Sequence, residues 1–327
     1  MENRAISYQI KDLEKSFVSK RHRVKALDKV SFDIFEGETL GIVGESGCGK
    51  STLGKVMLGI LSPDSGEVLF EGKDVHKMSR KEEFRFCKEA QMIFQDPYAS
   101  LDPTKQVKAI IGEGLRIHYK NLTPAQRQER ILQLINQVGL RPEHAERYPH
   151  EFSGGERQRI GIARALAVEP RFLLCDEPVS ALDVSVQAQV INLLAELKAC
   201  QKLTMLFISH DLSMVKFIAD RIGVMYLGNL VEVCDSKELY ENHLHPYSQL
   251  LISSIPIPDP IETQKRDMAS IQGEAQHSQN PQTNSCPFYH RCKQRSDRCK
   301  EEKPQLQEVS SGHWVACHHL GGTCPLA

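Results

Sequence analysis

The sequence contains no run of 18 consecutive apolar residues, so it offers no membrane-spanning helix. Its first residues, MENRAISYQIKD, lack the apolar segment of a secretory signal. Both absences predict a chain that stays in the cytosol and meets a membrane only through a partner. There is no charge excess either: 41 basic and 42 acidic residues leave a formal net charge of -1. That excludes the broad basic footprint of a nucleic-acid binder and leaves room only for a local patch. The ten cysteines lack the tight pairs, two to four residues apart, that structural zinc usually takes. In a cytosolic chain they read as thiols, metal ligands or catalytic groups rather than disulfides.

What is present divides unevenly. Cys48, Cys87, Cys175, Cys200 and Cys234 are scattered, whereas Cys286, Cys292, Cys299, Cys317 and Cys324 crowd the C-terminal end, and this change of usage marks a second unit. With 327 residues the chain is long enough for two domains or one large domain with an appendage. Apolar runs such as LGIVG, AQMIF, RFLLCD and LTMLFIS alternate with helical patterns such as VSVQAQVINLLAELKAC. This predicts an α/β fold with a mostly parallel sheet. Alternation in VKALDKVSFDIFEG and SGEVLFEG predicts an antiparallel β subdomain. A polar helical insert fills a subdomain at about 96–165, with one helix started by Thr123 and Pro124 and stopped near Gly139. After LLISSIPIPDP the composition turns to that of a linker. The expected division is 1–255, a linker over 256–285, and a cysteine-rich region over 286–327.

The densest chemistry lies in GESGCGKST, Gly44 to Thr52, which fits the pattern G-x-x-x-x-G-K-[ST]. An apolar strand precedes it and a helical pattern follows, the context in which such a loop cradles nucleotide phosphates. Gly44, Gly47 and Gly49 allow successive backbone N–H groups to turn inward, and the following helix adds its positive end. Ser46, Cys48 and Thr52 complete the cradle. Lys50 reaches the outer phosphates, and the Ser51 hydroxyl is placed to ligate magnesium, a hard cation that prefers oxygen.

Kinases, GTPases and motors share that loop, so the rest of the chain must narrow the class. RFLLCDE at 171–177 is a buried strand ending in two acids: Asp176 is placed to hold magnesium and Glu177 to polarise an attacking water. FSGGERQRIGIARAL offers a second anion-binding helix start, with Ser153 as N-cap, Gly154 and Gly155 leaving N–H groups uncovered, and Glu156 at the capping-box position.

At this point the chain resembles the ATP-binding cassette family, whose signature the S-G-G-x-x-Q core from Ser153 to Gln158 matches. The resemblance covers about 250 residues, with the motifs in the family's order. It implies a P-loop NTPase fold with antiparallel and helical subdomains, and ATP with Mg2+ as ligands. It also implies that Phe17 stacks on adenine and that Gln95 in FQDP senses magnesium and the attacking water. Ser180 to Asp183 would couple two sites, and His210 in FISHDL would contact the terminal phosphate. Glu177, His210 and Gln95 are then the catalytic set, with Ser51, Gln95 and Asp176 around magnesium. Two cassettes would face head to tail, each ATP held by the loop around Lys50 of one chain and the cap around Ser153 of the other.

On spacing alone, zinc, an iron–sulfur cluster and unliganded thiols are equally open for the cysteine tail. CPFYHRC, the following cysteine, EEKPQL and HWVAC resemble the C-terminal region of the oligopeptide and dipeptide importer subfamily, as does HPYSQLLISSIP. That resemblance implies a [4Fe-4S] cluster on Cys286, Cys292, Cys299 and Cys317, with Cys324 spare. It further implies an ATPase subunit of a bacterial peptide importer, peripheral on the cytoplasmic face of the inner membrane. Its partners would be a paralogous ATPase, two integral-membrane permeases meeting DPYASLDPTK and the helical insert, and indirectly a periplasmic peptide-binding protein. Rival readings are the ATPase of another small-solute or antimicrobial-peptide system, and a soluble cassette ATPase acting on DNA or ribosomes. A redox-sensing tail is a third.

Overall fold

The computed structural model describes residues 4–19, 22–255 and 284–320. Its first third runs through β1 (Ile6–Ser19), β2 (His22–Phe35), β3 (Thr39–Val43), α1 (Lys50–Met57), β4 (Ser65–Phe70), the two-residue β5 (Lys73–Asp74), α2 (Arg80–Glu89) and β6 (Ala90–Ile93). The middle holds α3 (Val107–His118), α4 (Pro124–Gln137), α5 (Gly154–Leu166), β7 (Phe172–Asp176), α6 (Val184–Gln201) and β8 (Thr204–Ser209). The remainder is α7 (Leu212–Ile218), β9 (Arg221–Tyr226), β10 (Asn229–Asp235), α8 (Ser236–Glu241), α9 (Pro246–Ser253), α10 (Asp297–Glu301), β11 (Gln307–Ser310) and β12 (His313–Val315). The chain forms two compact units. One is Met1–Tyr8, Ile34–Thr39 and Phe70–Ser209, and the other Gln9–Asp33, Leu40–Leu69 and His210–Ala327.

In the first unit β6, β7 and β8 are parallel, with Met92 opposite Leu174 and Leu174 opposite Leu206. Every residue of β7 and β8 is buried, which is why FLLCD and TMLFIS are nearly unbroken apolar runs rather than alternating ones. The helical insert is here too. Thr123 caps α4 in a reciprocal pair with Gln126, Pro124 opens the helix, and Gly139 follows it at φ 74°, matching the start and stop expected from the sequence. Ile110, Ile111 and Leu115 of α3 and Ile131, Leu134 and Ile135 of α4 supply its buried apolar faces.

In the second unit the strand order is β11-β12-β10-β9-β3. β3 runs parallel to β9, while β10 is antiparallel to β9 and to β12. A separate sheet places β2, β1 and β4 side by side. Only two residues separate the neighbouring β1 and β2, and so short a connection requires an antiparallel pair. The cysteine-rich tail is docked rather than detached: β12 extends the sheet, Val315 lies opposite Glu232, and Ala316 donates its N–H to the Val231 carbonyl at 2.8 Å. Lys303 adds an ion pair to Asp28 at 2.7 Å. Most of the expected linker, and Cys324, lie outside the described residues.

A buried carboxylate organises this edge. Glu232 on β10 is fully buried and accepts hydrogen bonds from His313 Nε2 at 2.7 Å, the Leu244 N–H at 2.8 Å and the His245 N–H at 3.0 Å. Burial alone would push its pKa up, but these donors outweigh burial and hold it below the ordinary value. His245 caps α9, its Nδ1 accepting the Tyr247 N–H at 3.0 Å. Burial holds His245 neutral and pushes its pKa down to about 4, despite the opposing pull of Glu232.

The unfolded chain protonates a histidine near pH 6.5, whereas folded His245 stays neutral down to about 4, so stability contributed by this group falls as pH drops through that window. His245→Asn keeps a capping side chain that does not titrate. Urea melts of the variant should therefore lose stability less steeply between pH 6.5 and 4.5, by about 1.4 kcal/mol per pH unit, and equal slopes would refute the assignment.

Candidate active site

The loop after β3 belongs to the second unit. Gly44, Gly47 and Gly49 all take positive φ, at 153°, 78° and 109°. Gly49 is the N-cap of α1, and a Cβ there would stand 2.2 Å from the Ala26 carbonyl oxygen, so no other residue fits. Lys50 is buried and donates from Nζ to the carbonyls of Gly44 at 2.7 Å and Glu45 at 3.0 Å. Ser46 is exposed in the loop, Ser51 and Thr52 are half-buried in the first turn of α1, and Cys48 is buried, which pushes its thiol up. Phe17 is 45% exposed on β1 with Lys15 Nζ 6.0 Å from the ring centroid, a free aromatic face rather than a core residue. His210 follows β8 at the surface.

The carboxylates lie in the first unit. Parallel pairing sets Asp176 opposite Ile208 at the end of β7, where it is 3% exposed. Glu177 turns out of the strand at φ 45°, its N–H on the Ile208 carbonyl at 3.0 Å. Gln95, two residues beyond β6, donates from Nε2 to Glu177 Oε2 at 2.9 Å. Two residues separated by 82 positions are thus brought together, and the amide orients the carboxylate.

The expected cap is formed. Ser153 Oγ accepts the Glu156 N–H at 3.4 Å while Glu156 Oε2 accepts the Ser153 N–H at 2.9 Å. The bonds from Ser153 hold the Glu156 carboxyl below its ordinary pKa despite partial burial. Gly155 is required by packing: a Cβ would stand 2.2 Å from Val186 of α6. Asp183 occupies the N-cap position of α6, accepting the Val186 and Gln187 N–H groups through its carbonyl. Gln158 is buried, and its amide donates to the Phe94 carbonyl at 3.4 Å. Arg157 stacks over Tyr98 at 3.8 Å, and Arg164 Nη1 donates to the Ser100 carbonyl at 2.5 Å. Three side chains of α5 therefore grip the loop that carries Gln95.

In the tail, Cys286 feels the charges of Cys292, Cys299 and Cys317, Cys292 those of Cys299 and Cys317, and Cys317 that of Cys299. Burial, then that mutual repulsion, pushes Cys286 up to about 12 and raises Cys292 and Cys317. Among the described residues no three of these sulfurs lie within 4.8 Å of one another. Zn–S bonds of about 2.3 Å would hold tetrahedral sulfurs about 3.8 Å apart. Among the described residues the sulfurs are not gathered as closely as one bound zinc ion would gather them. Glu232, Cys234 and His313 do close within 4.8 Å, but the carboxylate is already occupied by N–H donors.

Sequence reasoning missed Glu45, Tyr247 and Arg291. The Glu45 N–H donates to Tyr247 Oη at 3.0 Å, and Arg291 Nη1 lies 2.9 and 3.1 Å from the two Glu45 carboxylate oxygens. The only signal was an arginine directly before Cys292, with nothing to say which distant acid it meets.

Comparison with known proteins agrees with this geometry. The family described as ABC transporter matches residues 27–180, and that described as oligopeptide/dipeptide transporter, C-terminal region, matches residues 231–299. The oligopeptide transport ATP-binding protein OppF of Bacillus subtilis (strain 168) is 53% identical over 310 residues, covering 94% of this chain and 95% of that protein. Among solved structures, cbiO1 from Clostridium perfringens, part of the ABC transporter complex cbiONQ, aligns with a TM-score of 0.67 at 25% identity, covering 80% of this chain and all of its own. The ATP-binding cassette MJ0796, a dimer in a post-hydrolysis state bound to ADP and Pi, aligns with a TM-score of 0.64 at 26% identity, covering 70% of this chain and 98% of its own.

Gly49→Ala forces a Cβ onto the Ala26 carbonyl at a positive φ, costing about 1–3 kcal/mol in backbone strain. Equilibrium nucleotide titration should show ATP binding lost, together with a lowered melting temperature. Wild-type affinity would disprove the role given to this turn.

Proposed function

The chain belongs to the ABC transporter family of ATP-binding proteins, and from that premise we propose that it is the ATP-hydrolysing subunit of an importer that drives dipeptides and oligopeptides across the bacterial inner membrane. The observation that carries this reading is the match of residues 231–299 to the oligopeptide/dipeptide transporter C-terminal region, joined to similarity along nearly the whole length of an oligopeptide transport ATP-binding protein. A generic cassette would lack the first.

In the proposed cycle Phe17 carries the adenine, and the loop from Gly44 to Thr52 receives the phosphates. Lys50 exchanges its two carbonyl partners for phosphate oxygens, a like-for-like swap of acceptors. Ser51, Asp176 and Gln95 would hold Mg2+, which would offset phosphate charge. Glu177, oriented by Gln95, accepts the proton of the attacking water, and His210 meets the terminal phosphate. The cap at Ser153, Gly154 and Gly155 presents uncovered N–H groups to the nucleotide of a second cassette, with Gln158 and Asp183 supporting that face. The dimer of MJ0796 with ADP and Pi favours such a sandwich. We assign the second cassette to a paralogue, and assign the transmembrane path to two permeases that meet Asp96–Lys105 and the helical insert. A periplasmic binding protein selects the peptide.

The chain would sit on the cytoplasmic face of the membrane, held by those permeases; no helix among the described residues is long and apolar enough to cross it. We divide the chain into a cassette over 1–255, a linker over 256–285 and a cysteine-rich region over 286–327. Cys286, Cys292, Cys299 and Cys317 would hold a [4Fe-4S] cluster. The set of four cysteine donors is what supports this reading. Such a group would supply four cross-links between tail segments.

Two measurements test this reading. Glu177→Gln in the assembled transporter should retain bound ATP while turnover falls by about 10²–10⁴, and a wild-type rate would remove the general-base role. Protein purified without oxygen should carry iron, acid-labile sulfide and broad visible absorbance, all lost in Cys292→Ser. Iron-free protein with full ATPase activity would refute the cluster.

A further inference from the structure

Arg291 sits in the cysteine-rich tail immediately before Cys292, yet its guanidinium meets the nucleotide loop. Nη1 contacts both carboxylate oxygens of Glu45, at 2.9 and 3.1 Å, and the Tyr226 hydroxyl at 3.4 Å. The ring centroids of Tyr226 and Phe288 lie 5.7 and 5.9 Å from its central carbon. The arginine side chain is 8% exposed and that of Glu45 29%, so the pair is screened far less than a surface ion pair.

The residue it grips is held twice more. Glu45 donates its N–H to Tyr247 Oη, and its carbonyl accepts from Lys50 Nζ at 3.0 Å. The main chain that Lys50 touches is therefore fixed through its side chain by the tail. Charge makes the contact consequential. A carboxylate in the second position of a loop that receives a polyanion repels that ligand, and Arg291 is the cation that cancels it. Fixing the loop in advance also lowers the ordering cost of binding.

We propose that Arg291 is a positioning residue of the nucleotide site: the cysteine-rich tail neutralises and fixes Glu45, and ATP affinity depends on that contact. The inference rests on ATP binding at the loop around Lys50, and is independent of the transported solute and of what the four cysteines hold.

The test is equilibrium titration of the full-length chain with a fluorescent ATP analogue, with ATPase kinetics on the assembled transporter. Arg291→Ala should weaken nucleotide binding about tenfold, close to 1.4 kcal/mol, and raise KM for ATP in parallel, with kcat changed less than about twofold. Arg291→Lys should retain most of the affinity. Glu45→Gln added to Arg291→Ala should recover part of the loss, because it removes the uncancelled charge. A structural fault in the tail would instead lower kcat and melting temperature, with no recovery from Glu45→Gln. Wild-type affinity in Arg291→Ala, or a loss that neither Arg291→Lys nor Glu45→Gln relieves, overturns the proposal. Lys50→Ala serves as the control: if it binds nucleotide as wild type does, the nucleotide-site reading is at fault rather than the role of Arg291.

Discussion

A parallel strand buried on both faces has one place to put chemistry, its carboxyl end. β3 is buried at all five residues and releases the chain into the loop that Lys50 closes. β7 is equally buried and ends on Asp176 with Glu177 beyond it. Backbone pairing holds the strand while the side-chain requirement for burial stops at its last residue, so the charged groups emerge at a defined height above the sheet. Each compact unit uses this device by itself: the loop around Lys50 hangs from the end of β3, and the two carboxylates from the end of β7.

What the strand ends present is then set by helix starts. At α1 the cap is a glycine with positive φ that makes no side-chain cap hydrogen bond. At α5 the cap is Ser153 paired reciprocally with Glu156, which uses two of the backbone donors. The two differ in what fixes them. Backbone strain fixes the first, whereas α5 is fixed by long side chains: Arg157, Gln158 and Arg164 all reach the segment around Gln95. A shift of α5 would thus move the loop whose glutamine orients Glu177, a mechanical connection carried by hydrogen bonds rather than by apolar sliding.

Legibility followed range along the chain. Gly44 to Thr52, Ser153 to Glu156 and the α4 limits at Thr123 and Gly139 are local patterns, and local patterns carry their own geometry: a capping box needs four residues and a phosphate loop nine. Buried strands were legible because two-sided burial leaves no polar alternation. What stayed hidden were contacts of long sequence separation between residue types with several uses. Gln158 is legible in its local motif, but its contact with the Phe94 carbonyl, 64 positions away, is not. Glu232 sits in the ordinary strand NLVEVCD, where nothing betrays a carboxylate that will accept from residues at 244, 245 and 313. Arg291 and Glu45 are 246 positions apart.

The tail illustrates why composition misleads about independence. A glutamine-, serine- and proline-rich stretch followed by crowded cysteines reads as an appendage on a tether. Energetically the described tail is bound in several ways: β12 adds a strand to β10, Phe288 enters the rings of Tyr226 and Tyr247, Lys303 pairs with Asp28, and His313 meets buried Glu232. The His313 and Glu232 pair is the most demanding of these. Removing His313 takes one donor from a buried carboxylate that keeps the Leu244 and His245 N–H groups, whereas removing the Glu232 carboxylate strands all three donors. A segment docked by such contacts moves only when the sheet edge does.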